Sequence, residues 1–176
     1  MSFSRSIAVA AALVLAGVTV PAHAAAEPDQ AVILSCTGGL ITGQFDPALS
    51  FSPQDLRITG QGQLTGCVSP VDPTVPATIP LTLTGSGRGG CLSGGYNGGG
   101  TIEFTLGAGR GSTLRWTASI NLGPHTYNGV VTRGWGQGSQ GVIHAHSDFS
   151  VSSCVTGYST SKVFVDSVLV TGAPMT

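Results

Sequence analysis

The chain has 176 residues, 7 of them basic (Lys or Arg) and 8 acidic, so its formal net charge at pH 7 is −1, and only 9% of its residues are charged. A balance this even, with no basic run, excludes nucleic acid as a partner and gives an anionic lipid surface nothing to attract. With 41% hydrophobic residues and 27 glycines the composition is not that of a disordered chain, and it is expected to fold with hydroxyls and backbone, rather than ions, carrying its solubility.

The first segment reads as an export signal. Arg5 precedes an uncharged apolar run from Ile7 to Val20, broken by Pro21 and followed by Ala22-His23-Ala24, the small-x-small pattern of a cleavage site. The run is shorter than the about 20 residues a spanning helix needs. Residues 1–24 are therefore expected to be a signal peptide and residues 25–176 a single secreted all-β domain with no membrane span in its mature form. Ile33-Leu34-Ser35-Cys36 loosely resembles a lipidation box, but Glu27, Pro28 and Asp29 separate it from the apolar run that such a box must adjoin.

Next come strands. Apolar residues fall at every second position in Leu56, Ile58 and, past two glycines on the same face, Leu64; in Ile79, Leu81 and Leu83; in Ile102, Phe104 and Leu106; and in Leu114, Trp116, Ala118, Ile120 and Leu122. That spacing is the pattern of strands with one buried face, and no window shows a helical period. Val32 to Cys36 and Lys162 to Val170 are β-branched on both faces, as central or closing strands require. Turn chemistry puts breaks at Asp46-Pro47, in the glycine run from Gly85 to Gly90, at Asn97-Gly98, Gly123-Pro124 and Asn128-Gly129, with the longest loop at Pro70, Pro73 and Pro76. Gly60, Gly62 and Gly66 suggest bulges or sharp coiling. The expectation is an all-β fold, an antiparallel barrel or tight sandwich of about nine or ten strands.

Cys36, Cys67, Cys91 and Cys154 all follow the leader, and an exported chain meets an oxidising compartment, so the fold is expected to be stapled by two disulfides. Three pairings are open; Cys36 with Cys67 and Cys91 with Cys154 is favoured because sequence neighbours tend to be spatial neighbours in a β meander. A zinc site would want closely spaced cysteines, and there is no C-x-x-C pair.

One stretch carries recognisable chemistry. His144, His146 and Asp148 stand two apart, which on a strand places them on one face, where two imidazoles and a carboxylate could hold a divalent metal and activate a water. Gly138 before them echoes the first half of the cupin metal motif, but the glutamate and the second motif are missing. The competing reading is a solvated strand face with no cofactor. No G-x-S-x-G elbow occurs, His125 with Asp148 is the remaining dyad, and Glu103, Asp148 and Asp166 form no specific pair for sugar hydrolysis. Trp135, Tyr96 and Tyr127 lie among glycines and asparagines, where they could form an exposed aromatic platform for a ligand or pack into the core.

The elements Ser35-Cys36-Thr37-Gly38, Phe45-Asp46-Pro47-Ala48-Leu49, Gly66-Cys67, Gly90-Cys91, the strand with Trp116, and Ser153-Cys154 together resemble a group of small secreted four-cysteine β proteins of high-GC Gram-positive bacteria. The resemblance implies an all-β fold and no particular activity, and it carries no functional residue over. The function expected is a non-enzymatic binding or envelope-associated module, secreted or held at the cell wall, whose partner is an extracellular protein, peptide or polysaccharide. The alternatives are a metal-dependent enzyme on the His-x-His-x-Asp strand and a protease inhibitor presenting the Pro70–Pro76 loop in extended form.

Overall fold

The alternating segments become nine antiparallel strands in a computed structural model that describes residues 30–91, 95–121, 123–148, 155 and 157–172. The expected signal peptide lies outside the described residues. The strands are β1 (Ala31–Cys36), β2 (Gly38–Leu49), β3 (Gln54–Thr65), β4 (Thr78–Gly90), β5 (Gly95–Thr105), β6 (Gly111–Asn121), β7 (His125–Gly134), β8 (Gln140–Ser147) and β9 (Tyr158–Gly172). From β2 onward each strand pairs with the next, and β9 pairs with both β8 and β2, so eight strands close into an antiparallel barrel. Of the two architectures expected, the barrel is therefore the one formed: β9, apolar on both faces, is its closing strand.

The ninth strand is an extension rather than a separate layer. Cys36 lies opposite Val168 and Gly39 opposite Val165, so β1 and β2 follow one another along the same edge of β9 in an unbroken register across Thr37. Beyond β3, Ser35 and Val68 exchange both backbone hydrogen bonds, 2.9 and 2.8 Å. Cys36 and Cys67 are thus the adjacent non-hydrogen-bonded pair across the two strands, where Cα atoms come closest. Theirs are 4.0 Å apart, and the two sulfurs are bonded, as expected from sequence. No cysteine among the described residues is free, and Cys154, the expected partner of Cys91, lies outside them.

Up-and-down connectivity gives the barrel two different ends. The loops after β2, β4, β6 and β8 share the upper end, and those after β3, β5 and β7 share the lower one. The lower half is filled by branched aliphatics, Ile33, Leu64, Ile79, Ile102 and Leu114 among them, all essentially buried. The upper half is filled differently. Inward positions of β4 and β5 are glycines there, and large rings from β5 and β6 lie over them: a Cβ on Gly85 would stand 2.7 Å from Trp116 Cζ2, and one on Gly87 2.8 Å from Tyr96 Cε2.

That arrangement overturns three expected breaks. The run Gly85–Gly90 is not a turn but the end of β4; Asn97-Gly98 lies within β5 and Asn128-Gly129 within β7. These glycines answer a packing demand from side chains and backbone of their own and nearby strands, not the needs of a turn. Asp46-Pro47 is likewise inside β2, yet the β2–β3 ladder ends at Asp46 opposite Arg57, as a residue lacking an N–H requires. Gly123-Pro124 does separate β6 from β7. Gly66 has φ +61°, a backbone state open to glycine, where β3 turns into the proline-bearing loop.

Candidate functional site

Outward positions of β2, β3 and β4 stack in rows across the wall. Thr42, Gln61 and Thr82 form one row, Gln44, Thr59 and Thr84 the next, then Asp46, Arg57 and Ser86, then Asp55 and Arg88. All are exposed. Strand twist gives a closed barrel a waist that is concave along its strands, and here it makes two adjoining recesses. One is lined by Thr42, Gln44, Thr59, Gly60, Gln61 and Thr82. The other is lined by Asp46, Pro47, Asp55 and Arg57 with Ser86 and Arg88. Close strand approach is what permits this coiling: a Cβ on Gly60 would already lie 3.2 Å from the Thr42 carbonyl oxygen and 3.3 Å from Ile41 Cγ2.

From Gln61 to Asp55 the two recesses make one trough about 20 Å long at the rise of a strand. Its floor is amide and hydroxyl, with both donors and acceptors. Two arginines and two aspartates at one end cancel in charge, and the Arg88–Asp55 contact, 3.5 Å long, is 65% and 88% exposed on its two side chains. Such a pair holds little, about 0–1 kcal/mol, and leaves both groups available. The sequence reading did not single out these residues, although their alternation with Leu56, Ile58 and Leu64 already placed them on the outer face.

The His-x-His-x-Asp residues are placed separately. His144 and His146 do share the outward face of β8, but each turns to a different neighbour. His144 Nδ1 meets Thr126 Oγ1 at 3.1 Å, and His146 Nδ1–H donates to Asp166 at 2.9 Å while its ring stacks on Phe164, 5.2 Å between centroids. Asp148 lies beyond the strand end and accepts a hydrogen bond from the Lys162 amide at 2.9 Å. Among the described residues no group of three or more His, Cys, Asp or Glu could hold a metal ion. The physical reason is the strand end: Asp148 no longer follows the alternation that would bring it beside the imidazoles, and it continues the ladder to β9 instead.

Tyr96 and Tyr127 form no surface platform. They are 3% and 6% exposed, inside the upper half of the barrel, while Trp135 is half-buried in the turn after β7 at the lower end. The reason is again the small inward residues facing them, which leave room for rings. Trp116 lies between the two tyrosines, with centroids 6.4 Å from Tyr96 and 5.3 Å from Tyr127, and His125 meets Tyr127 edge-on at 5.7 Å. Burial pushes the Tyr96 hydroxyl up to about 12 and raises that of Tyr127 further. Burial also lowers the pKa of His125, against the Gly123 carbonyl that accepts its Nδ1–H at 2.8 Å. Tyr96 Oη, Trp116 Nε1 and His125 Nε2 are buried with no hydrogen-bond partner. His125 therefore forms no dyad with Asp148.

The proline-bearing loop is held down rather than extended. The Val75 amide bonds back to the Asp72 carbonyl at 3.2 Å, closing a turn, and Arg110 reaches from the β5–β6 turn to Asp72 at 2.6 Å and to Thr74 at 2.7 Å. Hydrogen bonds from Thr74 and Arg110 lower the Asp72 carboxyl to about 2. A loop folded over in this way does not present the extended backbone a protease cleft takes. No helix among the described residues is long and apolar enough to cross a membrane. Compared with protein-family models, curated proteins and solved structures, the chain matches none.

Proposed function

We propose that the protein is a non-enzymatic binding module, secreted and acting outside the cell, whose polar trough over β2, β3 and β4 takes a neutral hydroxyl-rich polymer, a polysaccharide strand. One observation carries this reading: the two adjoining recesses are lined by side-chain amides and hydroxyls, with balanced charges at one end. Vicinal hydroxyls both donate and accept, as Gln44, Gln61, Thr59 and Thr82 do, and the carboxylate and guanidinium of Asp46 and Arg57 can each take two such bonds at once. Because Arg57 and Arg88 are matched by Asp46 and Asp55, the trough favours neither a polyanion nor a polycation. The export signal, the disulfide and the likeness to secreted four-cysteine β proteins support an extracellular setting.

The test is electrophoresis of the mature protein through native gels containing neutral polysaccharides, one polymer per gel, beside a Gln44→Ala, Arg57→Ala variant. Both substitutions lie on the outer wall, so folding is expected to survive. Retardation by at least one polymer, weakened tenfold or more in the variant, supports the proposal. Equal retardation of both proteins, or none by any neutral polymer, overturns it.

A further inference from the structure

We propose that His125 is an acid-sensitive latch at the start of β7, and that its protonation releases Gly123 and the first residues of that strand from the aromatic interior. The ring is 5% exposed, and its Nδ1–H donates to the Gly123 carbonyl at 2.8 Å. That bond leaves Nε2 as a bare lone pair turned away from solvent with no partner. The closed form thus accepts only the neutral ring. A proton on Nε2 would create a buried cation with one N–H and nothing to receive it, the arrangement most costly to bury.

The surroundings place no hydrogen-bond acceptor on Nε2, although the charge of Asp166 favours the proton and that of His146 opposes it. From β7 the facing titratable group is Tyr127, a neutral phenol presented edge-on. From β8 the residue opposite is Ala145, and His146 beside it lies on the outer face with Asp166 of β9, a carboxylate already bound to it at 2.9 Å. Asp148 is occupied by the Lys162 amide and Ser161. Among the described residues at the end of β6 and before β7, Thr117, Ala118, Ser119, Gly123 and Pro124 hold no acid or base. Once Gly123 and the start of β7 lift, the imidazole titrates as an ordinary histidine, near 6.5. Below that value each pH unit shifts the balance about tenfold toward the open form, until the closed form can itself take the proton. Desolvation, which lowers the pKa of the closed form, runs in the same direction. Opening also brings water to Tyr96 Oη and Trp116 Nε1, so all three unpartnered atoms favour it.

The test follows the three histidines of the mature protein, His125, His144 and His146, by proton NMR from pH 8 to pH 4, with His125→Gln for assignment. Near-UV circular dichroism and amide exchange at residues 123–129 are measured on the same samples. Expected are a His125 resonance still unprotonated at pH 6.5, then a near-UV loss and at least tenfold faster exchange at 123–129 between pH 6 and pH 4, with far-UV signal retained. His125→Gln, neutral throughout, lacks the step. Protonation of His125 at an ordinary histidine pH with packing unchanged overturns the latch, and so does an acid step that persists in His125→Gln. Should that variant fail to fold, wild-type exchange that rises elsewhere but not at 123–129 overturns it equally.

Discussion

If glycines in the upper barrel exist to admit rings from nearby strands, Gly85 and Trp116 are energetically coupled. Gly85→Ala places a methyl 2.7 Å from Trp116 Cζ2 and 3.0 Å from the Gly99 carbonyl oxygen. Trp116 is 1% exposed and cannot swing outward, so the methyl overpacks the interior at a cost of about 2 kcal/mol. Trp116→Phe alone removes the benzo edge of the indole and leaves a gap, again at about 2 kcal/mol, lessened by the loss of the unpartnered Nε1. In the double variant the methyl occupies part of that gap. Its cost is expected to fall short of the sum of the single costs by at least about 1 kcal/mol. Urea unfolding followed by far-UV circular dichroism, with disulfides intact, measures all four corners of the cycle, and 1 kcal/mol is about 2–4 °C in Tm for a domain of this size. Additivity within about 0.5 kcal/mol would refute the reasoning, because it would mean that the ring does not need the glycine.

Replacing both Cys36 and Cys67 by alanine opens a loop with a sequence separation of 31. Chain-entropy arguments put the loss at about 4 kcal/mol, measurable as a lower urea midpoint; an unchanged midpoint would show that the cross-strand pairing of Ser35 with Val68 holds this end alone. The Asp72 clamp should fail in acid. Its folded carboxyl is depressed to about 2 from 3.8, so its contribution is complete above pH 4 and is lost as pH falls through 2. Limited proteolysis of the loop 69–77 with pepsin should accelerate between pH 4 and pH 2 in the wild type, whereas Arg110→Ala should be cut readily at both. Equal rates for the two proteins at pH 4 would show that the turn at Asp72–Val75 holds without Arg110.

The strands were legible because burying one face of a sheet demands a period of two, and Leu56, Ile58, Leu64, Ile79, Leu81, Leu83, Ile102, Phe104, Leu114 and Trp116 obey it as buried residues. The Cys36–Cys67 bridge was legible as a neighbour pairing in a meander. The glycines were misread for a definite reason. Local turn chemistry and a steric demand inside the barrel select the same residue, and only the second acts at Gly85, Gly98 and Gly129, where an added Cβ would meet Trp116, Tyr96 and Leu114 together with neighbouring backbone. Tyr96 and Tyr127 could not be assigned a face from their neighbours in sequence, since what buries them is on other strands.

From its sequence alone the chain reads as a sparsely charged, all-β domain held by cysteines, with an export leader expected at its start, because composition, apolar runs and alternation are local properties that each segment carries by itself. Which way the sheet closes, which side of each strand meets Trp116, how four rows of amides, hydroxyls and paired charges come to lie side by side on one concave wall, and why His144, His146 and Asp148 part company are settled only by register between strands. Register is a relation between segments far apart in the chain, and it is fixed by the packing of the finished barrel.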